Sequence, residues 1–274
     1  KWLKLGASGW RLDVADELPD EFIKILKKKL KEVKSDGVLI GEVWEDASNK
    51  VSYNRKREYL FGNELDSVTN YPLRQIILDL VRNYIGSKYF IRKYLSLKEN
   101  YPKEYFYSTM NMLGNHDTER VLTMLNNNVN LLKEAVVIQM TLPGVPLIYY
   151  GDEAGLTGGK DPDNRKSYPW GKENKDILEF YKKISAIRVG EEALKSGEIE
   201  FLENNNGILG YERILNSDRI IIVVNMMEKE ENILIDNIDG DILDLLDKDK
   251  EYVVENRKIN ILIKAHEFII LKVL

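Results

Sequence analysis

The chain contains no cysteine. That excludes disulfide staples, thiolate metal sites and a cysteine nucleophile. It has only two histidines, His116 and His266, too few for a metal site built mainly from imidazoles. A basic excess is also missing: 45 Asp and Glu against 40 Lys and Arg leave a net charge of −5. Nucleic acid and anionic membrane surfaces call for the opposite balance. No apolar run approaches the roughly 20 residues that cross a bilayer, and no internal repeat or low-complexity tract is visible. No signal peptide is seen either, but the first residue is Lys1, so the compartment stays open. What is present is a globular composition, 43% hydrophobic and 31% charged over 274 residues. That is ample for a core and one or two domains.

Gly9-Trp10-Arg11-Leu12-Asp13 reads as a short buried strand that ends on a carboxylate. Before it, Trp2-Leu3-Lys4-Leu5-Gly6 looks like the last turn of a helix with a glycine stop. Pro19-Asp20-Glu21 starts a helix, with acids near the positive end of its dipole. Phe22, Ile23, Leu26, Leu30 and Val33 recur along it at helical spacing, and Lys27, Lys28, Lys29, Lys31 and Lys34 are expected to form its solvated face. Val38 to Trp44 is a second apolar strand, again ending on a carboxylate, Glu42. Strand, helix, strand with apolar strands predicts a βαβ unit and a parallel sheet. Residues 45 to 63 predict a loop with a short helix around Arg55 to Tyr59. Further strands are expected at Leu65 to Thr69, Tyr107 to Leu113 and Gly144 to Gly151. Helices are expected from Tyr71, over Ser87 to Leu97, over Leu131 to Leu142 and over Ile177 to Val189. From about residue 195 the pattern changes to short β-rich runs separated by turn signals such as Asn204-Asn205-Asn206-Gly207. The expected division is therefore 1–192, α/β, and 193–274, a small antiparallel β domain.

Four expected strand ends carry polar chemistry: Arg11/Asp13, Glu42, His116/Asp117 and Asp152/Glu153. A parallel sheet or barrel gathers such ends at one rim. Carboxylates with an arginine and a histidine, without a phosphate-binding glycine loop or a serine elbow, suit cleavage of a glycosidic bond. That reaction needs one carboxylate kept ionised and another kept protonated. Arg11 lies two residues before Asp13, on the same side of the strand, and can hold it charged. Glu42 follows a wholly apolar strand, where desolvation favours the protonated form.

Three blocks then carry a resemblance: Gly9-Trp10-Arg11-Leu12-Asp13-Val14-Ala15, Gly41-Glu42-Val43-Trp44 and Gly114-Asn115-His116-Asp117-Thr118-Glu119-Arg120. In order and spacing the chain resembles the C-terminal half of an α-amylase superfamily glycoside hydrolase. It is most similar to the neopullulanase, cyclomaltodextrinase and maltogenic amylase group. A fourth block, Gly151 to Gly155 with Asp161-Pro162-Asp163-Asn164-Arg165, resembles the family's loop after the eighth barrel strand. The resemblance implies a partial TIM (β/α)8 barrel, strands four to eight, over 1–192, followed by a β-sandwich over 193–274. It implies Asp13 as nucleophile, Glu42 as acid/base and Asp117 as the third carboxylate, which binds and distorts the sugar. Arg11 would orient Asp13, and His116 would bind the same sugar. Asp161 and Arg165 would contact more distant glycone subsites. The family retains configuration, which implies carboxylates about 5–5.5 Å apart.

Two departures stand out. Ser8 occupies a position where the family usually has Asp, and the family's third-strand block, with its histidine, has no counterpart here. The expectation is a fragment that is inactive alone and pairs with a preceding half-barrel or with itself through an open edge. No cofactor is expected in these residues; any calcium would belong to that preceding half. The expected substrate is an α-1,4-linked glucan (maltooligosaccharide, starch, cyclodextrin or pullulan), with α-1,6 bonds as a second candidate. The alternatives are a transglycosylase of the same superfamily and a non-catalytic amylase-like protein that binds glycans or a partner. Trp10 is expected in the core, whereas Trp44 and the loop residue Trp170 are candidates for stacking on sugar rings. Asp152 and Glu153 are read as shaping their loop, Asp66 has a weak claim to the rim, and His266, in a β-rich run with no partner carboxylate pattern, is read as structural.

Overall fold

The computed structural model describes residues 1–203, 205 and 207–274. The turn expected at Asn204-Asn205-Asn206-Gly207 therefore falls partly on two residues, Asn204 and Asn206, that lie outside the described ones. The chain divides into two compact units: Lys1–Gln75 with Lys93–Met112 and Gly144–Leu147, and Ile76–Arg92 with Leu113–Pro143 and Ile148–Leu274.

The first unit is built on parallel strands. β1 (Gly9–Leu12) pairs in parallel with β2 (Val38–Gly41), Gly9 opposite Val38 and Leu12 opposite Gly41. The loop after β2 carries a small hairpin, β3 (Val51–Ser52) with β4 (Arg55–Lys56). β5 (Ser67–Val68) adds to β2, a Thr69–Met110 bridge leads to β6 (Met110–Met112), and β6 pairs with β7 (Val145–Leu147); all are parallel. Five strands thus follow one another in chain order. The first crossover helix, α1 (Asp20–Val33), buries Ile23 and Leu30 against this sheet. α2 (Tyr71–Val81) and α3 (Ser87–Asn100) have residues in both units, and α4 (Lys103–Ser108) precedes β6.

Four expectations change here. Lys27 is not on a solvated face: it sits one turn after Ile23, is buried, and reaches Asp66 at 2.7 Å, its long stem covering apolar surface. Asp66 itself lies before β5 and accepts the Leu39 N–H at 2.8 Å, so it marks the amino end of the strands. The helix expected around Arg55 to Tyr59 is a hairpin instead. Tyr107 belongs to α4, because Phe106 packs its ring edge-on against Tyr94 and Tyr101 and holds the segment helical up to Ser108.

The second unit contains α5 (Val121–Met124), α6 (Val129–Thr141), α7 (Lys175–Gly190) and α8 (Glu192–Ser196). Asn128 and Asn174 cap α6 and α7 with their side-chain oxygens, each satisfying N–H groups that the helix leaves open. α6 is buried almost all round, which explains its continuous apolar sequence. Beyond α8 run β8 (Glu198–Phe201), β9 (Ile208–Leu215), β10 (Asp218–Asn225), β11 (Glu231–Asp236), β12 (Ile242–Asp244), β13 (Lys258–Ile263) and β14 (Phe268–Val273). An antiparallel sheet of order β12-β14-β10-β9-β8 and a β11-β13 ribbon share one core. Ile221, Val223, Ile269 and Leu271 from the sheet meet Ile233, Ile235, Ile259 and Ile261 from the ribbon. The strict alternation in β11 and β13 is a direct consequence of having one buried face each.

Candidate active site

The first unit places Arg11, Asp13 and Glu42 together at the carboxyl ends of β1 and β2. The Glu42 N–H donates to Leu12 O at 2.9 Å, and the Ala15 N–H to Glu42 O at 3.1 Å. These backbone bonds carry the pairing of β1 and β2 just past the strand ends and fix where each carboxyl group starts. Gly41 makes this possible: a Cβ there would stand 2.5 Å from Leu65 Cδ1 and 3.3 Å from Ala15 Cβ. The Arg11 guanidinium is shared, Nη1 to Asp13 Oδ1 at 2.5 Å and Nη2 to Glu42 Oε1 at 2.7 Å. Arg11 thus touches Asp13, which it was expected to orient, and Glu42 as well. Asp13 keeps 71% of its side chain exposed, whereas Glu42 keeps 2%. Glu42 is buried as its apolar strand suggests, but its surroundings are not apolar. Besides Arg11, the Tyr71 hydroxyl donates to Oε1 at 3.3 Å and the Val14 N–H to Oε2 at 3.0 Å.

Val14 has φ 44° and ψ 56°. A β-branched residue in the left-handed region carries of order 1–3 kcal/mol of strain, a cost found mostly at functional sites. Trp44 is half exposed, and its ring stacks on Tyr71 at 4.1 Å and 13°. One face of Trp44 thus rests on the residue that touches Glu42.

The second unit places His116, Asp117, Asp161 and Arg165 together. His116 Nε2 lies 3.1 Å from Asp117 Oδ2, and Arg165 reaches Asp117 Oδ1 at 3.4 Å and Asp161 Oδ1 at 3.1 Å. All four remain partly or fully exposed. Their backbone is held from beneath by Asn164, whose side chain donates to His116 O and Thr118 O, both at 2.8 Å. Arg120 in turn holds Asn164 O at 2.8 Å and Asp152 at 3.0 Å, and lies over the rings of Tyr149 and Tyr150 at 4.0 and 4.8 Å. Glu153 accepts the Gly151 N–H at 2.8 Å. Asp152 and Glu153 are thus engaged in holding their own loop.

Sequence reasoning missed the bracing residues. Arg57 is fully buried, donates to the carbonyls of Ala15, Asp16 and Leu18, and pairs with Asp20 at 2.6 Å. It clamps the segment that follows Asp13. Asp16 in the same segment is held by the Tyr59 hydroxyl at 2.6 Å and by Lys50 at 3.1 Å. Nothing in the polar stretch 45–63 distinguishes Arg57 from its exposed neighbours. His266 has the carboxylates it was expected to lack: Nδ1 is 2.7 Å from buried Glu134 and Nε2 is 3.2 Å from Glu228. Among the described residues no cluster of three or more His, Asp or Glu has metal-site geometry, and no helix is long and apolar enough to cross a membrane.

Comparison with known proteins places this geometry in context. The family described as the alpha amylase catalytic domain matches residues 1–185. Relatives include an amylopullulanase of Thermoanaerobacter thermohydrosulfuricus, 38% identical over 239 residues, covering 77% of this chain and 16% of that protein. A cyclomaltodextrinase of Thermoanaerobacter pseudethanolicus is 36% identical over 243 residues, covering 87% of this chain and 41% of that protein. A solved cyclomaltodextrinase superposes with a TM-score of 0.86 at 29% identity over 97% of this chain and 45% of its own. The chain thus spans less than half the length of these relatives.

Proposed function

The chain belongs to the alpha-amylase catalytic-domain family, and on that premise we propose that it carries the reacting carboxylates of a retaining glycoside hydrolase acting on α-1,4-linked glucans. Asp13 is the nucleophile. It attacks the anomeric carbon while Glu42 gives its proton to the departing glycosidic oxygen, and the bond between that carbon and oxygen breaks. Glu42, now anionic, then takes a proton from water. The water oxygen bonds to the anomeric carbon and releases Asp13. The observation that carries this reading is the shared Arg11 guanidinium, which touches an exposed carboxylate on one side and a buried one on the other. Two carboxyl groups joined in this way but so differently solvated suit two different roles. Asp117, with His116, Asp161 and Arg165, is read as binding sugar hydroxyls, and Trp44 as offering its open face to a sugar ring.

We further infer that 1–192 contributes strands four to eight of a (β/α)8 barrel and that 193–274 is a β-sandwich. Closing the barrel takes eight parallel strands. Among the described residues five are present, and β1 pairs on one side only. The 274-residue chain alone is therefore expected to be inactive and to need the strands that complete the barrel. The experiment is Asp13→Asn and Glu42→Gln in the full-length protein, assayed for reducing ends released from maltooligosaccharides. Each substitution should cost at least ~10²–10⁴-fold in turnover. Wild-type turnover in either variant would sink the assignment. Longer oligosaccharides formed without released reducing ends would mark a transglycosylase instead.

A further inference from the structure

We propose that Asn164 is a positioning residue whose side-chain amide sets where Asp117 presents its carboxylate to the sugar; this deepens the reading of Asp117 given above and rests on it. Packing does not hold the Asp117 side chain, which stays 31% exposed with His116 Nε2 at 3.1 Å and Arg165 Nη2 at 3.4 Å beside it. Its place is fixed through its backbone instead. The Asp117 N–H donates to Asn115 Oδ1 at 3.0 Å. The carbonyls of the residues on either side, His116 O and Thr118 O, both accept from Asn164 Nδ2 at 2.8 Å. Arg165 Nε adds a second bond to His116 O at 3.1 Å. One nitrogen thus uses both of its hydrogens to straddle the residue that carries the carboxylate.

The task is specific to an amide. Asn offers two donors on one nitrogen, whereas an ionised Asp of the same shape offers none and Ser offers one. The orientation of the amide follows from its neighbours: turned over, it would set an acceptor against two carbonyl oxygens. As it stands, Asn164 Oδ1 is buried and, among the described residues, accepts no hydrogen bond. A buried acceptor without a donor costs stability, so stability alone does not favour Asn here; the two donors do. The anchor behind the amide is firm. Asn164 is fully buried. Its carbonyl accepts from Arg120 Nε at 2.8 Å, the Arg120 N–H donates to Gly158 O at 3.0 Å, and the Gly158 N–H donates to Thr123 Oγ1 at 2.8 Å. Gly158 lets the loop close this tightly, since a Cβ there would stand 2.4 Å from Asp163 O. The loop that carries Asp161 and Arg165 is thereby tied at several points to the segment that carries His116 and Asp117, and Asn164 is the tie that brackets the carboxylate.

The test is a double-mutant cycle in the full-length enzyme, read as the inhibition constant of acarbose and as kcat/KM for maltotriose. An inhibition constant reports on the folded molecules alone, so a loss of stability by itself does not move it. Asn164→Ala should raise that constant about tenfold and lower kcat/KM by ~10–100-fold, the scale of a misplacement of up to about 1 Å. Asn164→Ser, which keeps one donor, should fall between Asn164→Ala and wild type, and it carries the cycle if Asn164→Ala does not fold. In an Asp117→Asn background the same substitutions should change either quantity by less than about twofold, because the group they position is already lost. An unchanged inhibition constant in the Asn164 variants, or an effect that persists in full beside Asp117→Asn, would overturn the positioning role. If Asp117→Asn alone leaves both quantities at wild-type values, the reading of Asp117 as a sugar-binding carboxylate fails first.

Discussion

The Glu134–His266 pair allows a pH dependence of stability to be worked from the structure. Glu134 is wholly buried in α6, and one of its oxygens lies 2.7 Å from His266 Nδ1. Burial pushes its carboxyl up from 4.5 to about 7, although the imidazole opposes the rise. Burial works to lower His266, yet hydrogen bonds to Glu134 and to exposed Glu228 leave it raised above 6.5. Both groups thus hold protons more tightly folded than unfolded. A raised group contributes stability fully below its unfolded pKa and loses it as pH climbs through the folded one. For Glu134 that window runs from 4.5 to about 7, and at ~1.4 kcal/mol per pH unit it amounts to roughly 3 kcal/mol. The window of His266 opens at 6.5 and extends the fall. Glu134→Gln keeps the shape and the hydrogen bond but removes the carboxyl titration. Urea midpoints measured from pH 5 to 8 should fall in the wild type by an amount corresponding to about 3 kcal/mol and change by under about 1 kcal/mol in Glu134→Gln. Glu64, also raised by burial, titrates alike in both proteins and cancels in the difference. Parallel curves for the two proteins, or a wild type that gains stability between pH 5 and 8, would refute the reasoning. His266→Ala removes the group that opposes the rise of the Glu134 carboxyl, so in the same urea series the fall in stability should move to higher pH.

Other expectations follow from the second unit and from the clamp behind Asp13. Trp170 is 81% exposed, with its ring 4.4 Å from that of Tyr168, on the loop that also carries Asp161 and Arg165. Trp170→Ala should leave stability within about 0.5 kcal/mol, as for an exposed side chain. It should raise KM several-fold for maltoheptaose but not for maltotriose; equal KM changes for the two would exclude a stacking platform. Arg120→Met should destabilise by ~3–5 kcal/mol, since it removes the buried guanidinium that Asp152 and the carbonyls of Tyr150 and Asn164 share; a melting temperature unchanged from wild type would contradict that accounting. Arg57→Ala strips donors from three carbonyls and should cost about 2–4 kcal/mol in urea unfolding, roughly 1 kcal/mol for each neutral acceptor and more for Asp20.

How far the fold and site were legible depends on how local their causes are. β1, α1 and β2 are set by apolar periodicity within about thirty residues, and their positions came out within two or three residues of expectation. The polar ends of β1 and β2 follow from the same rule, and Arg11, Asp13 and Glu42 do meet. What escaped reading is tied to backbone sign or to distant contact. Lys27 looks like every other lysine of α1 until Asp66 arrives 39 positions later to meet it. Glu134 and His266 are 132 residues apart, and neither position carries a local signal. Val14 is the sharpest case. By composition it is one more apolar residue in a strand, and every propensity argues for extended backbone there. The left-handed turn becomes readable only once β1 and β2 lie side by side and the chain just past β1 bonds to the backbone of Glu42. An extended residue 14 would instead forfeit two backbone bonds, from the Ala15 N–H to Glu42 O at 3.1 Å and from the Glu17 N–H to Val14 O at 2.9 Å, together worth ~1–3 kcal/mol. That is the same order as the strain. The two terms nearly cancel, so local preference alone could not have decided between them, and the conformation at Val14 is settled by the backbone bonds that form around it once β1 and β2 lie side by side.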